Sequence, residues 1–221
     1  MQDLSQFPIM IVAILVALTV HEWAHAFVAW KLGDDTARWA GRLTLNPLAH
    51  LDPVGAILFL LVGFGWAKPV PVDVRNFRHP VRDAALVAVA GPLSNLILAF
   101  LAAAILTVVP IDVAVLGGGA GLDAASAARN IAGMFLVYSL RLNLALMAFN
   151  LLPIPPLDGS NILRLFIPWQ LRDRYEEFMR YGPWILLGVI VVESFLNVPI
   201  LSWWVGAIIE LTLRGFDLIL P

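Results

Sequence analysis

Cysteine is absent from the 221 residues, which excludes disulfides, thiolate metal sites and cysteine nucleophiles; any metal must be held by His, Asp or Glu. Charge is scarce too. Asp, Glu, Lys and Arg make up 14% of the chain against 60% hydrophobic residues, and the mean hydropathy is +0.85. These values lie outside the range of soluble globular proteins and point to an all-α multi-pass membrane protein whose surface contacts the lipid bilayer. A net charge of −2 with no basic patch excludes a nucleic-acid partner. The first hydrophobic run has no basic n-region and no small-residue cleavage site, so it is expected to stay as a span. Internal repeats and low-complexity tracts are missing as well, and the expected organisation is one membrane-embedded domain over 1–221, with a core of about 8–167.

What is present is a series of apolar windows. Runs of about 20 apolar residues mark spanning helices, and they fall at 8–30, 84–109 and 131–152. A helical hairpin is expected over about 183–220, its two arms parted by "NVP" at 197–199. The run at 53–67 is too short for an ordinary span and holds Gly63 and Gly65, which favours re-entry into the membrane from one side. Loop charges support that choice. Residues 31–42 carry three cations, 68–82 four and 164–180 four, while 110–128 carry two aspartates and none. Cations concentrate on the cytoplasmic side, and all three basic loops share a side only if 53–67 re-enters. The expectation is five spans (six if 53–67 crosses), N-terminus out and C-terminus in. "ARWAGRLTLNP" at 37–47 alternates weakly and suggests a short β-hairpin at the membrane face.

Within the first span stands "HEWAH". His21 and His25 are four residues apart, one helical turn, so both imidazoles can reach one ion. Glu22, one residue after the first ligand, is placed to act on water polarised by that ion. This is the HExxH zincin pattern, whose chemistry is peptide hydrolysis. Three polar side chains without partners inside a span would cost several kcal/mol, on the order of 2.5–3.5 kcal/mol for each charge, which disfavours a chance occurrence. A catalytic zinc needs a third protein ligand. The candidate region is "FNLLPIPPLDGSNILRLF" at 149–166, where Pro153, Pro155 and Pro156 break the helix and Asp158 is the carboxylate. Asp158 as a plain helix N-cap remains the alternative.

HEWAH in a span, "GPLSN" at 91–95 and "NLLPIPPLDG" at 150–159, in that order, resemble the site-2 protease family of intramembrane zinc metalloproteases. The resemblance runs from about residue 10 to 167. It implies a zinc metalloendopeptidase with one Zn2+, cutting transmembrane protein substrates in or near their spans, in a prokaryotic plasma membrane with the site towards the cytoplasm. It assigns His21, His25 and Asp158 to zinc and Glu22 to acid/base catalysis. To Asn95 it assigns a catalytic contact to substrate or oxyanion, beside the alternative that Asn95 bonds a neighbouring helix. His50 sits in a loop and is not chosen as a ligand. The PDZ and CBS modules of some relatives are missing, and oligomeric state leaves no motif. Because the scissile bond of a helix is hidden in backbone hydrogen bonds, the substrate is expected to unwind, with residues 43–66 as a groove for the extended segment.

Two rival functions make different demands. A transporter would show inverted repeats, which are not visible. A non-catalytic metal-binding membrane protein would lack the glutamate or a ligand, yet Glu22 and Asp158 are both present.

Overall fold

The computed structural model describes residues 6–62, 65–109, 124–196 and 198–220. The expected loop at 110–128 falls mostly outside these residues, as does Asn197 of the hairpin turn. The described chain is helical: α1 (Phe7–Lys31), α2 (Thr36–Trp39), α3 (Pro47–His50), α4 (Pro53–Val62), α5 (Pro80–Val108), α6 (Ala124–Asn150), α7 (Asp158–Leu163), α8 (Arg172–Leu196) and α9 (Ile200–Asp217). Four stretches are long and apolar enough to cross a membrane: Phe7–Lys31, Pro80–Val108, Ala128–Asn150 and Trp169–Leu196.

Helices α1, α5 and α6 pack against one another as the central unit. The side chains they bury are small: Ala13, Ala17, Ala24, Ala26 and Ala29 on α1, and Ala85, Ala88, Ala90, Ala99 and Ala102 on α5. Lipid tails are as apolar as leucine, so helices in a bilayer associate by close approach, and alanine permits it. Larger residues lie at one end, where Leu144 and Met147 of α6 meet Ala99 and Phe216 of α9. The Phe100 and Phe216 rings meet edge to face at 5.3 Å, and Trp204 Nε1 donates to the Ala148 carbonyl at 2.9 Å. Outward faces carry Val12, Leu93, Ile97, Leu101, Phe195 and Leu211, an exposed apolar belt suited to lipid.

Glycine and aspartate end α1. Gly33 takes φ 104°, open to a residue without Cβ, and the Asp34 amide reaches back to Ala29 O at 2.9 Å, closing the helix end. The buried Asp34 carboxylate then accepts from Thr36 N and Oγ1, from Asp73 N at 2.8 Å and from Asn76 Nδ2 at 2.7 Å. Burial pushes this carboxyl up, but the Thr36 and Asn76 side chains and the Asp73 and Thr36 amides hold it below the usual carboxylate range. Residues 73–76 are thereby fastened to the end of α1.

The expected β-hairpin does not form. Asp34 holds the Thr36 amide and hydroxyl and winds residues 36–39 into a helical turn; Asn46 Oδ1 accepts from Leu48 N at 3.1 Å and Pro47 starts the next. Arg42 points inward, donating to Lys68 O and Pro69 O. A weak alternation with no partner strand cannot hold a ladder against these local bonds. The isolated bridge is antiparallel, Leu51 to Ala67, beside Lys68 N donating to His50 O at 2.9 Å.

The C-terminal pair departs from its expected bounds. Helix α8 begins at Arg172, eleven residues before Pro183, because charged residues such as Arg174, Glu176 and Glu177 suit a helix outside the bilayer while failing any hydropathy window. Glu193 accepts from Leu201 N at 2.7 Å and Ser202 N at 3.1 Å, capping α9 across the turn.

Candidate metal centre

The site forms where α1, α5 and α7 meet. His21 and His25 project from one face of α1, as a four-residue spacing requires, and Gly91 of α5 lies opposite. A Cβ at Gly91 would come within 2.5 Å of His21 Cε1 and His25 Cε1 and collide with His25 Nε2. Only glycine leaves room for both rings there. Pro92 has no N–H to donate to the carbonyl of Ala88 and crowds it. One turn further back, Val87 O accepts from His25 Nδ1 at 2.7 Å.

The third group arrives on a broken helix. Helix α6 stops at Asn150, the prolines at 153, 155 and 156 lie in turns, and α7 begins at Asp158. Gly159 packs directly on the Leu151 and Leu152 carbonyls, where a Cβ would collide. The N-cap position is Leu157 and no side chain caps this helix, so the N-cap alternative for Asp158 gives way. Its Oδ2 instead lies 3.3 Å from both His21 Nε2 and His25 Nε2.

Protons decide what this arrangement can hold. His21 Nδ1–H donates to Asn95 Oδ1 at 2.6 Å and His25 Nδ1–H to Val87 O. Neither acceptor can donate in return, so each neutral ring turns a bare Nε2 lone pair inward. These two nitrogens are 3.0 Å apart, and the buried Asp158 Oδ2 has no hydrogen-bond donor. Two imidazole nitrogens and a carboxylate oxygen that converge in this way offer three lone pairs to one cation. Tetrahedral zinc with bonds of about 2.0–2.1 Å spaces its ligand atoms about 3.3 Å apart, close to the 3.0–3.3 Å separations found. His21, His25 and Asp158 can therefore hold a metal ion.

A cavity of about 350 Å³ opens on this cluster, lined by Glu22, Asn150, Asn161 and the irregular run with Pro69, Val70 and Val72. One wall of this cavity comes from Pro69, Val70, Val72 and Val74, while Leu51, Gly55 and Trp66 of the expected groove at 43–66 line a second cavity. Asn150 is not singled out by the sequence reading; its place directly before the proline break is the signal that could have found it. Asn95 is fully buried behind His21, away from the cavity. Its Oδ1 serves His21 and both Nδ2 protons are taken, by Asn143 Oδ1 at 2.8 Å and Ala17 O at 3.3 Å, so no donor is left for an oxyanion. His50 is likewise taken, its Nε2 donating to Thr44 O at 2.8 Å and its Nδ1 facing Arg42.

Fold and site together define a helical membrane protein with a two-histidine, one-carboxylate metal pocket and an adjoining glutamate. Residues 9–190 match the model of Peptidase family M50, and the chain belongs to that family. It is 42% identical over 210 residues to "Putative zinc metalloprotease YwhC" of Bacillus subtilis, covering 94% of this chain and 92% of that one. Rip2 of Mycobacterium tuberculosis H37Rv is 35% identical over 208 residues, covering 91% and 72%. MJ0611 of Methanocaldococcus jannaschii is 27% identical over 160 residues, covering 72% and 70%. No solved structure matches the chain significantly.

Proposed function

We propose that in this intramembrane zinc protease His21, His25 and Asp158 hold one zinc ion and Glu22 is the general base and acid of peptide hydrolysis. The observation that carries this reading is the convergence of two imidazole nitrogens and one carboxylate oxygen beside a second carboxylate, Glu22, at the wall of the same cavity. Zinc bound there supplies Lewis acidity that brings the pKa of water to about 7 and polarises a carbonyl. Glu22 takes a proton from the attacking water as its oxygen adds to the scissile carbonyl carbon. The same carboxyl returns that proton to the leaving nitrogen as the C–N bond breaks. Asn150 keeps one amide proton on Leu146 O at 3.0 Å and has a second for the oxyanion that develops in the cavity. The substrate is a peptide bond in or near a transmembrane segment, extended beside residues 69–74.

Glu22→Gln is expected to keep zinc and abolish cleavage of a co-expressed single-span substrate, and Asp158→Ala to lose both. Zinc content beside cleavage decides; continued proteolysis in Glu22→Gln would remove the assignment.

The same reading places the whole chain as one embedded domain of five spans, α9 being the fifth, with the site towards the cytoplasm of a prokaryotic cell. What supports re-entry of 53–67 is length and closure: ten residues of α4 rise about 15 Å against a core of about 30 Å, and Leu51 pairs with Ala67. Single cysteines introduced at 76 and 173 are expected to react with an impermeant reagent only after permeabilisation. Labelling of 76 from outside would refute the topology.

A further inference from the structure

Behind the metal cluster runs a chain of buried polar side chains of which the catalytic reading uses His21 alone. Ser139 and Asn143 on α6, Asn95 on α5 and His21 on α1 are all at most 7% exposed. Their hydrogen bonds have a direction that can be worked out from one end. Ser139 O is a backbone carbonyl and can only accept, so Asn143 must turn its Nδ2 towards it, at 2.8 Å, with Ser139 Oγ at 3.3 Å. Asn143 Oδ1 then faces Asn95 and accepts from Asn95 Nδ2 at 2.8 Å. A second carbonyl, Ala17 O, demands the same orientation of Asn95. Asn95 Oδ1 is therefore left for His21, and it accepts the Nδ1 proton at 2.6 Å.

We propose that Asn95, oriented by Asn143 and Ala17 O, is a positioning residue that holds His21 in the tautomer and ring angle offering Nε2 to zinc. The inference rests on the reading of His21 as a ligand. Turned over, the Asn95 amide would aim N–H at Nδ1, and the imidazole proton would move to Nε2, where it blocks the metal. Two carbonyls on different helices forbid that turn. His25 is held differently, by the Val87 carbonyl directly, so the two ligands have separate supports. The His21 support spans three helices, which makes its metal affinity depend on how α1, α5 and α6 are packed.

Zinc affinity of the full chain in detergent, measured by competition with a chromogenic chelator, tests this without any substrate. Asn95→Leu keeps the volume and removes the acceptor, and is expected to weaken zinc about 10- to 100-fold. Asn95→Asp keeps an acceptor towards His21 in either protonation state and is expected to stay within about threefold of wild type. Asn143→Leu is expected to weaken zinc by a smaller factor than Asn95→Leu, because Ala17 O still orients Asn95. A residue that serves only helix packing would lower the melting temperature of the metal-free protein in all three variants, with no rescue of zinc affinity by Asp. Wild-type affinity in Asn95→Leu, with zinc weakened in His21→Ala, overturns the relay alone; if Asn95→Leu fails to fold, equal loss in Asn95→Asp and Asn143→Leu does the same. Undiminished zinc in His21→Ala overturns the ligand assignment beneath it.

Discussion

Helices α1, α5 and α6 bury 28%, 28% and 33% of the residues in their most apolar windows, whereas the stretch Trp169–Leu196 buries 6%. Both regions are apolar enough for a bilayer, yet they use that property in different ways. The central three spend it on one another through alanine and glycine, and the amides of Asn95 and Asn143 enclosed between them are paired. Helix α8 turns Trp184, Leu187 and Phe195 outward, and two of its contacts reach the loop that carries Asp158. Gly182 lies against Pro155, where a Cβ would collide, and Tyr175 Oη donates to Ser160 O at 2.5 Å. The lesson is that hydropathy marks which segments enter the membrane, while residue size marks which of them face each other.

Substitutions can break this contrast in graded steps. The largest effect is expected in the central unit: Gly91→Ala drives a methyl group into both imidazoles, and zinc affinity and cleavage should fall at least about 10- to 100-fold, as for other losses of ligand positioning. Chelator competition and a cleavage assay on the same preparation measure it, and full affinity would mean the rings have room to retreat. An intermediate effect is expected where α8 touches the Asp158 loop. Tyr175→Phe removes one hydrogen bond worth about 1 kcal/mol, so cleavage should drop by less than about tenfold with zinc content unchanged. The smallest is expected on the outer hairpin. A Cβ at Gly206 meets nothing within 4 Å, and Gly206→Ala should shift stability by no more than about 0.5 kcal/mol, read as an unchanged melting curve and cleavage rate.

The part of the site that depends on local spacing was legible in the sequence. His21 and His25 share a face because any helix places residues four apart together, and Asp158 stood out because prolines had broken the span that carries it. What depends on distant segments meeting was not. Asn95 reaches His21 across 74 positions, and nothing in "GPLSN" tells an amide behind a ligand from an amide facing a substrate. The wall at 69–74 was hidden for the same reason: its place is set by Asp34 and Arg42, residues that read as ordinary loop charges. The hairpin expectation at 37–47 failed because alternation over a few residues is weaker than an aspartate and an asparagine that each hold a turn. The start of α8 escaped because its first eleven residues lie outside any apolar window.

The bridge between Leu51 and Ala67 has one more implication. Paired strands sit about 4.7–4.9 Å apart, so the chain leaves and returns through almost the same point, and the residues between form a closed cassette. Trp66, Gly55 and Leu51 of this cassette face a second, apolar cavity of about 620 Å³ against Leu15, Leu18 and Phe149, while the catalytic wall begins only at Pro69. Gly55 is the tight point of this cassette, because a Cβ there would collide with the Trp66 backbone beside the bridge. The apolar chamber and the polar site beside it thus draw their walls from different stretches of the chain.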